Sequence, residues 1–419
     1  MNNLISMNLP QKIKKRLLQE KILFQESGFK NYYYRIRKKI EKIKFYYRIK
    51  HIDFDKYKFQ HQQISKILII SGCEKTVAEI HRVFHISERL NILKIKNDIL
   101  PHSKLESSNP KKLVEYDLIW IHRAGSEPSI DAMMRVWKRI GIPVLYDIDD
   151  LVFDKDIIKY ISAIKDWSKE KKLLYVESMN RYSKIINQSN ILSSPTNYLS
   201  NYLAKKYNKP SVVIRNGIDQ KSYQKFLKNK PNKSKRKIVL GYFSGTNTHD
   251  QDFKSCSSAI SNLMEIHQNL FLKIVGLLEI PKELEKFSNR IIRKSLVPYQ
   301  KLFKEYQDTS INLAPLEINN PYCESKSELK YYFAGFCGIP TVASPTDSFC
   351  FAISDGQDGF LAKNKTDWFQ KINQLITNKN LYNKISINSK KNCIKLYSPI
   401  NQAKDLKQII KFIQNESSN

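Results

Sequence analysis

From Lys66 onward, short runs that are apolar at every position alternate with longer stretches of mixed polarity. KILIISG (Lys66 to Gly72), DLIWIHR (Asp117 to Arg123), PVLYDID (Pro143 to Asp149), NILSS (Asn190 to Ser194) and SVVIRNGID (Ser211 to Asp219) have the length and β-branched content of strands. Helices are predicted between them, over Thr76 to Leu90, over 156–188 and around Tyr198 to Lys206. A polar, basic, proline-containing stretch follows, KNKPNKSKRK (Lys228 to Lys237). The alternation then restarts with IVLGYF (Ile238 to Phe243), LFLKIVG (Leu270 to Gly276), SINLAPL (Ser310 to Leu316), PTVAS (Pro340 to Ser344) and GFLA (Gly359 to Ala362), and the chain ends in a helix over Pro399 to Gln414. Continuous apolar strands joined by helices imply parallel sheets covered on both faces. The expected fold is therefore α/β, with two Rossmann-like, doubly wound domains whose strand ends face a common cleft.

The first sixty residues break this pattern. Tyr33, Ile36, Ile40, Ile43 and Tyr47 recur at helical spacing and basic residues fill the positions between them. The first fifty residues hold 14 Lys and Arg against three Glu. Such a stripe either lies on an anionic membrane or docks on the protein's own body. The predicted organisation is a basic helical extension (1–60), a first domain (61–225), a linker (226–237), a second domain (238–395) and a terminal helix (396–419) that packs back toward the first domain. The whole chain of 419 residues carries a net charge of +31. That favours an anionic partner, whether membrane, nucleic acid or phosphorylated substrate, unless the charge merely decorates solvated faces. The six cysteines are scattered without C-x-x-C or zinc spacing, as expected of free thiols in a reducing compartment. No signal peptide and no run long enough to span a membrane is visible.

Candidate chemistry gathers at strand ends. Ser244, Gly245 and Thr246 form a small-residue turn after a buried strand, where backbone can approach a phosphate, and Asp250 and Asp252 are expected to cap the helix that follows. In NPYCESKSELKYYFAGFCGIPTVASPT (Asn320 to Thr346), Lys326 and Lys330 stand four residues apart and are expected to share one helix face. Two ammonium groups beside a helix N-terminus suit a diphosphate. Glu328 is positioned to bind sugar hydroxyls or to pair with a lysine, with Ser327 beside it. PVLYDIDDLVFD (Pro143 to Asp154) packs Asp147, Asp149, Asp150 and Asp154 after a buried strand, which suits general-base work on a hydroxyl. A D-x-D triplet also has a metal reading, which is set aside here in favour of no metal. His122 and Arg123 end another strand, Gly72 ends the first one, and His81 and Arg82 fall in the first helix.

Three of these stretches, "DIDDL", "GYFSGT" and "KSELK", resemble in order and spacing the group-1, or family-4, type of GT-B glycosyltransferases. The resemblance spans about residues 66 to 400 and is similar to the usual donor-site form KSxLKxxEAxxxGxPxVAS. It implies transfer, with retention, of a sugar from a nucleotide-diphosphate-sugar to a glycan or lipid-linked acceptor, as in bacterial surface polysaccharide such as O-antigen or capsule. It implies no cofactor and no metal, and a place on the cytoplasmic face of the membrane. On this reading Asp149, Asp150 and His122 are catalytic. Ser244, Gly245, Thr246, Lys326, Ser327, Glu328 and Lys330 bind the donor, and Gly72 and Arg123 lie on the acceptor side. Asn216-Gly217 resembles the turn that closes the first domain, with Arg215 in place of proline. One departure stands out: the position of the second of two glutamates, which binds the ribose in relatives, is Phe333, and the first is Ser325. Phe333 keeps a catalytically impaired scaffold in contention. The charge does the same for nucleic-acid binding, a less favoured partner because no such motif is present, and a sugar-nucleotide epimerase on the same fold is the remaining alternative.

Overall fold

The computed structural model describes residues 37–57, 63–228, 237–245 and 250–416. Tyr33 and Ile36 of the amino-terminal stripe, Thr246, and most of the linker lie outside the described residues. Among those described, two six-stranded parallel sheets stand one in each half of the chain. The first contains β1 (Lys66–Ser71), β2 (Lys96–Pro101), β3 (Leu118–His122), β4 (Val144–Asp147), β5 (Ile191–Ser194) and β6 (Ser211–Val213), in the order β2-β1-β3-β4-β5-β6. The second contains β7 (Ile238–Ser244), β8 (Leu270–Gly276), β9 (Ile291–Lys294), β10 (Ile311–Ala314), β11 (Thr341–Ala343) and β12 (Phe360–Leu361), in the order β12-β11-β10-β7-β8-β9. Each order reverses once, between β1 and β3 and between β7 and β10. Ligands of such sheets bind outside the carboxyl ends at that reversal, which is where Gly72, His122, Ser244 and Gly245 stand.

The helices that matter below are α1 (residues 37–50), α2 (Val77–Glu79, Ile80–Phe84 and His85–Ile92, its middle stretch π-helical), α3 (Lys169–Gln188), α4 (Asp250–Ile266), α5 (Tyr299–Gln307), α6 (Leu329–Phe336) and α7 (Pro399–Glu416). Two edge strands, β2 and β9, were not anticipated. Both are partly exposed and read KNDILP and IIRK, without the apolar run of a central strand. Of the long helices expected over 156–188, the later part is α3, and the earlier part is a correction: it forms 3-10 turns at Lys155–Tyr160 and Ser162–Ile164 before the Ser168 cap of α3. Helix α7 buries Leu406, Ile410 and Ile413 against Ile67, Ile69, Val83 and Leu90 of the first half. Helix α1 docks by Phe45, Tyr46 and Ile49 on the core of the first half. The stripe read from the sequence, Ile40, Ile43 and Tyr47, is instead exposed at 46%, 69% and 63%.

Candidate functional site

Strand register sets the acidic end of the first sheet. His122 pairs laterally with Asp147, and Asp147 with Ser193, so the three side chains form a row across the carboxyl ends of β3, β4 and β5. Asp147 is fully buried and binds His122 Nδ1 at 2.9 Å, accepts from Ser193 Oγ at 2.6 Å, and forms an ion pair with Arg82 of α2, whose Nε donates at 3.0 Å. Burial works against a charged imidazole at His122, but the Asp147 carboxylate outweighs it and raises the group to about 9. His122 Nε2 is buried and has no hydrogen-bond partner among the described residues. Gly72 lies against the next loop: its N–H donates to His122 O at 2.8 Å, and a Cβ there would overlap the backbone of Ala124.

One residue beyond the row, Arg123 adopts a left-handed φ of +47° and donates to Asp149 Oδ1 at 3.0 Å. Such backbone strain in a non-glycine residue is held only by its surroundings. Arg123 counters the burial of Asp149 and keeps its carboxyl below the usual range. Asp150 reaches across to the other half, where Lys326 Nζ lies 2.8 Å from its Oδ1 and 4.0 Å from the centre of the Tyr322 ring. Burial opposes the charge on Lys326, and Asp150 overcomes it and holds the ammonium above its ordinary value.

In the second half, Ser244 ends β7 and Gly245 follows, with open space among the described residues where a Cβ would sit. Lys326 and Lys330 do not share a helix face, a correction. The short helix Pro321–Glu324 ends at Ser325, residues 326–328 are non-helical, and α6 begins only at Leu329. Lys326 therefore points to Asp150, while Lys330 Nζ sits 4.8 Å from the Tyr242 ring, buried and without a hydrogen-bond partner among the described residues. Burial lowers the Lys330 pKa, with partial relief from Asp252. Asp250 and Asp252 were expected to cap their own helix. Both stand in its first turn, and they also accept from Glu279 N at 3.1 Å and Glu317 N at 3.0 Å, tying neighbouring loops to the start of α4.

Glu328 is buried, with Oε1 held by Tyr397 Oη at 2.8 Å and Arg215 at 3.4 Å and Oε2 unpartnered among the described residues. Burial raises its pKa against the pull of Arg215. Ser327 Oγ accepts from Asn216 Nδ2 at 2.9 Å, so the turn read only as a boundary also joins the halves. Between the halves a cavity bordered by Tyr160, Ser162, Asp252, Asn320, Tyr322 and Lys326 measures about 10 Å³, room for a single water. Sequence reasoning missed the bracing of Asp147 by Arg82 and Ser193. Arg82 is one of several polar residues that α2 buries, with Glu79, His81, His85 and Arg89, so nothing local singled it out.

Residues 237–378 match the family model of glycosyl transferases group 1. This stretch is similar to a group-1 glycosyltransferase domain. The scaffold around that domain is GT-B. A glycosyltransferase from Rickettsia africae superposes with a TM-score of 0.59 at 14% identity, over 84% of this chain and 99% of that one. HepE of Anabaena, in complex with UDP, superposes at 0.53 and 15% identity, over 83% and 100%. Sucrose-phosphate synthase of Thermosynechococcus elongatus does so at 0.53 and 12%, over 84% and 99%. No curated protein matches the chain. Ser244, Gly245, Lys326, Ser327, Glu328 and Lys330 fall within the matched stretch, and Gly72, His122, Arg123, Asp149 and Asp150 lie in the first half, outside it.

Proposed function

We propose that this group-1 glycosyltransferase moves a sugar from a nucleoside-diphosphate-sugar to a glycan or lipid-linked acceptor of bacterial surface polysaccharide, with retention and without a metal. The observation that carries the reading is the meeting of Lys326 with Asp150 across the halves, with the buried Lys330 amine nearby on the same segment. Ammonium groups here stabilise the charge that develops on a departing diphosphate, and Asp149, Asp150 and the His122 imidazolium line the opposite side for the sugar and acceptor hydroxyls. The UDP and UDP-glucose carried by HepE support a nucleotide-sugar donor. On this reading a diphosphate competes with Asp150 for the Lys326 ammonium. Helix α1, with its exposed Ile40, Ile43 and Tyr47 among Lys39, Lys42 and Lys50, supports peripheral attachment to an anionic cytoplasmic membrane face. No described helix is long and apolar enough to cross a membrane.

The test is a thermal-shift screen with UDP-, GDP- and dTDP-sugars, followed by donor hydrolysis with and without EDTA. At least one donor is expected to stabilise the protein, and Lys326→Ala combined with Lys330→Ala to abolish the shift. A flat screen with intact protein sinks the reading. Phe333 favours one second reading, a catalytically impaired scaffold, which would bind a donor but neither transfer nor hydrolyse it.

A further inference from the structure

We propose that Cys73 is a modification site, a thiol primed by the His122–Asp147 pair for attack on peroxides and other soft electrophiles at the carboxyl end of the first sheet. The proposal goes beyond sugar transfer, and its test reads labelling rather than turnover.

Cys73 follows Gly72 in the turn between β1 and α2. Ser71 is in register with His122, and lateral neighbours in a sheet point to one face. On that face Ser71 Oγ reaches Glu79 of α2, and Asp147 reaches Arg82. Two residues beyond Ser71, the alternation of a strand brings the Cys73 side chain back toward the same face. There it meets the His122 ring. Nδ1 of that ring is taken by Asp147 at 2.9 Å, and the buried Nε2 is the nitrogen left over. Burial opposes the charge on the imidazole, Asp147 sustains it, and the Cys73 thiol adds to that support. The approach to sulfur falls short of a formed hydrogen bond, so Nε2 has no such partner among the described residues. Buried ring nitrogens are rarely left so.

The setting favours a nucleophilic sulfur, because an imidazolium and a helix N-terminus both stabilise a thiolate. His122 supplies the first. The second is α2, capped at Thr76, whose N–H and Oγ donate to the Cys73 carbonyl at 3.3 and 2.7 Å. Glu79, the acid of that first turn, is already occupied by Ser71 Oγ and by Lys75 N, each at 2.6 Å. Cys73 is a free thiol and half-buried, whereas Cys256, Cys323, Cys337 and Cys393 are buried. With a peroxide, the sulfur attacks one oxygen: an S–O bond forms and the O–O bond breaks. Sulfur gives up two electrons and becomes a sulfenic acid. The departing hydroxide takes the Nε2 proton of His122 and leaves as water.

Rates of iodoacetamide labelling at neutral pH, read by mass spectrometry for all six cysteines of the full chain, test this. Cys350 is the internal reference. It is the more exposed thiol, and partial burial with Glu324 and Asp347 nearby pushes its pKa up. Cys73 is expected to label about tenfold faster than Cys350 despite its lower exposure. His122→Gln is expected to bring Cys73 down to the Cys350 rate or below, with Cys350 unchanged. After peroxide, dimedone is expected to trap a sulfenic acid at Cys73 and not at Cys350. Labelling of Cys73 no faster than that of Cys350, or a Cys73 rate that ignores His122→Gln, overturns the proposal. Peroxide treatment that leaves Cys73 a thiol does the same. If label on Cys256 and Cys393 shows the variant to be unfolded, the wild-type ordering and the peroxide result decide.

Discussion

An imidazolium enclosed by protein needs an anion against it, and Asp147 fills that role for His122. Its pKa of about 9 in the folded protein lies above the ordinary 6.5. The stabilisation is therefore complete below about pH 6.5 and is lost as the pH rises through 9. The gap in thermal midpoint between wild type and His122→Gln is expected to narrow steadily from pH 6.5 to pH 10, and a gap that ignores pH would contradict the assignment. Lys330 is the opposite case, a buried amine whose charge is poorly compensated. Lys330→Met is expected to stabilise the protein by about 1 kcal/mol, a few degrees in midpoint, while weakening diphosphate binding. A lower midpoint together with unchanged binding would show that the amine has a purely structural role. Of the site, the residue types at the strand ends were legible in the sequence, because acids and a histidine straight after apolar runs are rare without a reason. Their pairings were not. That Asp147 would take Arg82 while Asp150 took Lys326 depends on register and on the approach of the two halves, and neither is a local property of the chain.

Elements were legible where burial was two-sided. Central strands announce themselves by unbroken apolar runs, whereas β2 and β9 at the sheet edges do not, and the 3-10 turns before α3 were hidden by sequence that is also compatible with a helix. The same ambiguity affected α1. Its hydrophobic positions form two stripes, and periodicity alone could not say which one docks. Phe45→Ala is expected to cost about 3 kcal/mol in chemical denaturation, because Phe45 lies in the first core. Ile43→Asp with Tyr47→Asp should leave stability within about 0.5 kcal/mol and abolish co-sedimentation with vesicles containing phosphatidylglycerol. Retained sedimentation by that double variant would remove α1 as the membrane contact. At the first strand's end, Gly72→Ala places a methyl group into the backbone of Ala124, and a loss of about 3 kcal/mol or more is expected in the same denaturation experiment.

At the scale of the whole molecule, the doubled strand–helix alternation made two Rossmann-like halves readable from sequence, but not how tightly they meet. Asp150 with Lys326, Asn216 with Ser327, and the aromatic contact of His81 with Phe333 all cross between them. Each contact joins positions more than a hundred residues apart in the chain. The terminal helix makes the most consequential crossing. Leu406, Ile410 and Ile413, more than three hundred residues along the chain from β1, fill the core behind that strand in the first half. A ribosome therefore delivers the first sheet long before the helix that finishes it. Until α7 has been made, Ile67, Ile69 and Leu90 wait with one side of their packing unfilled, and the first half matures only after the second has emerged.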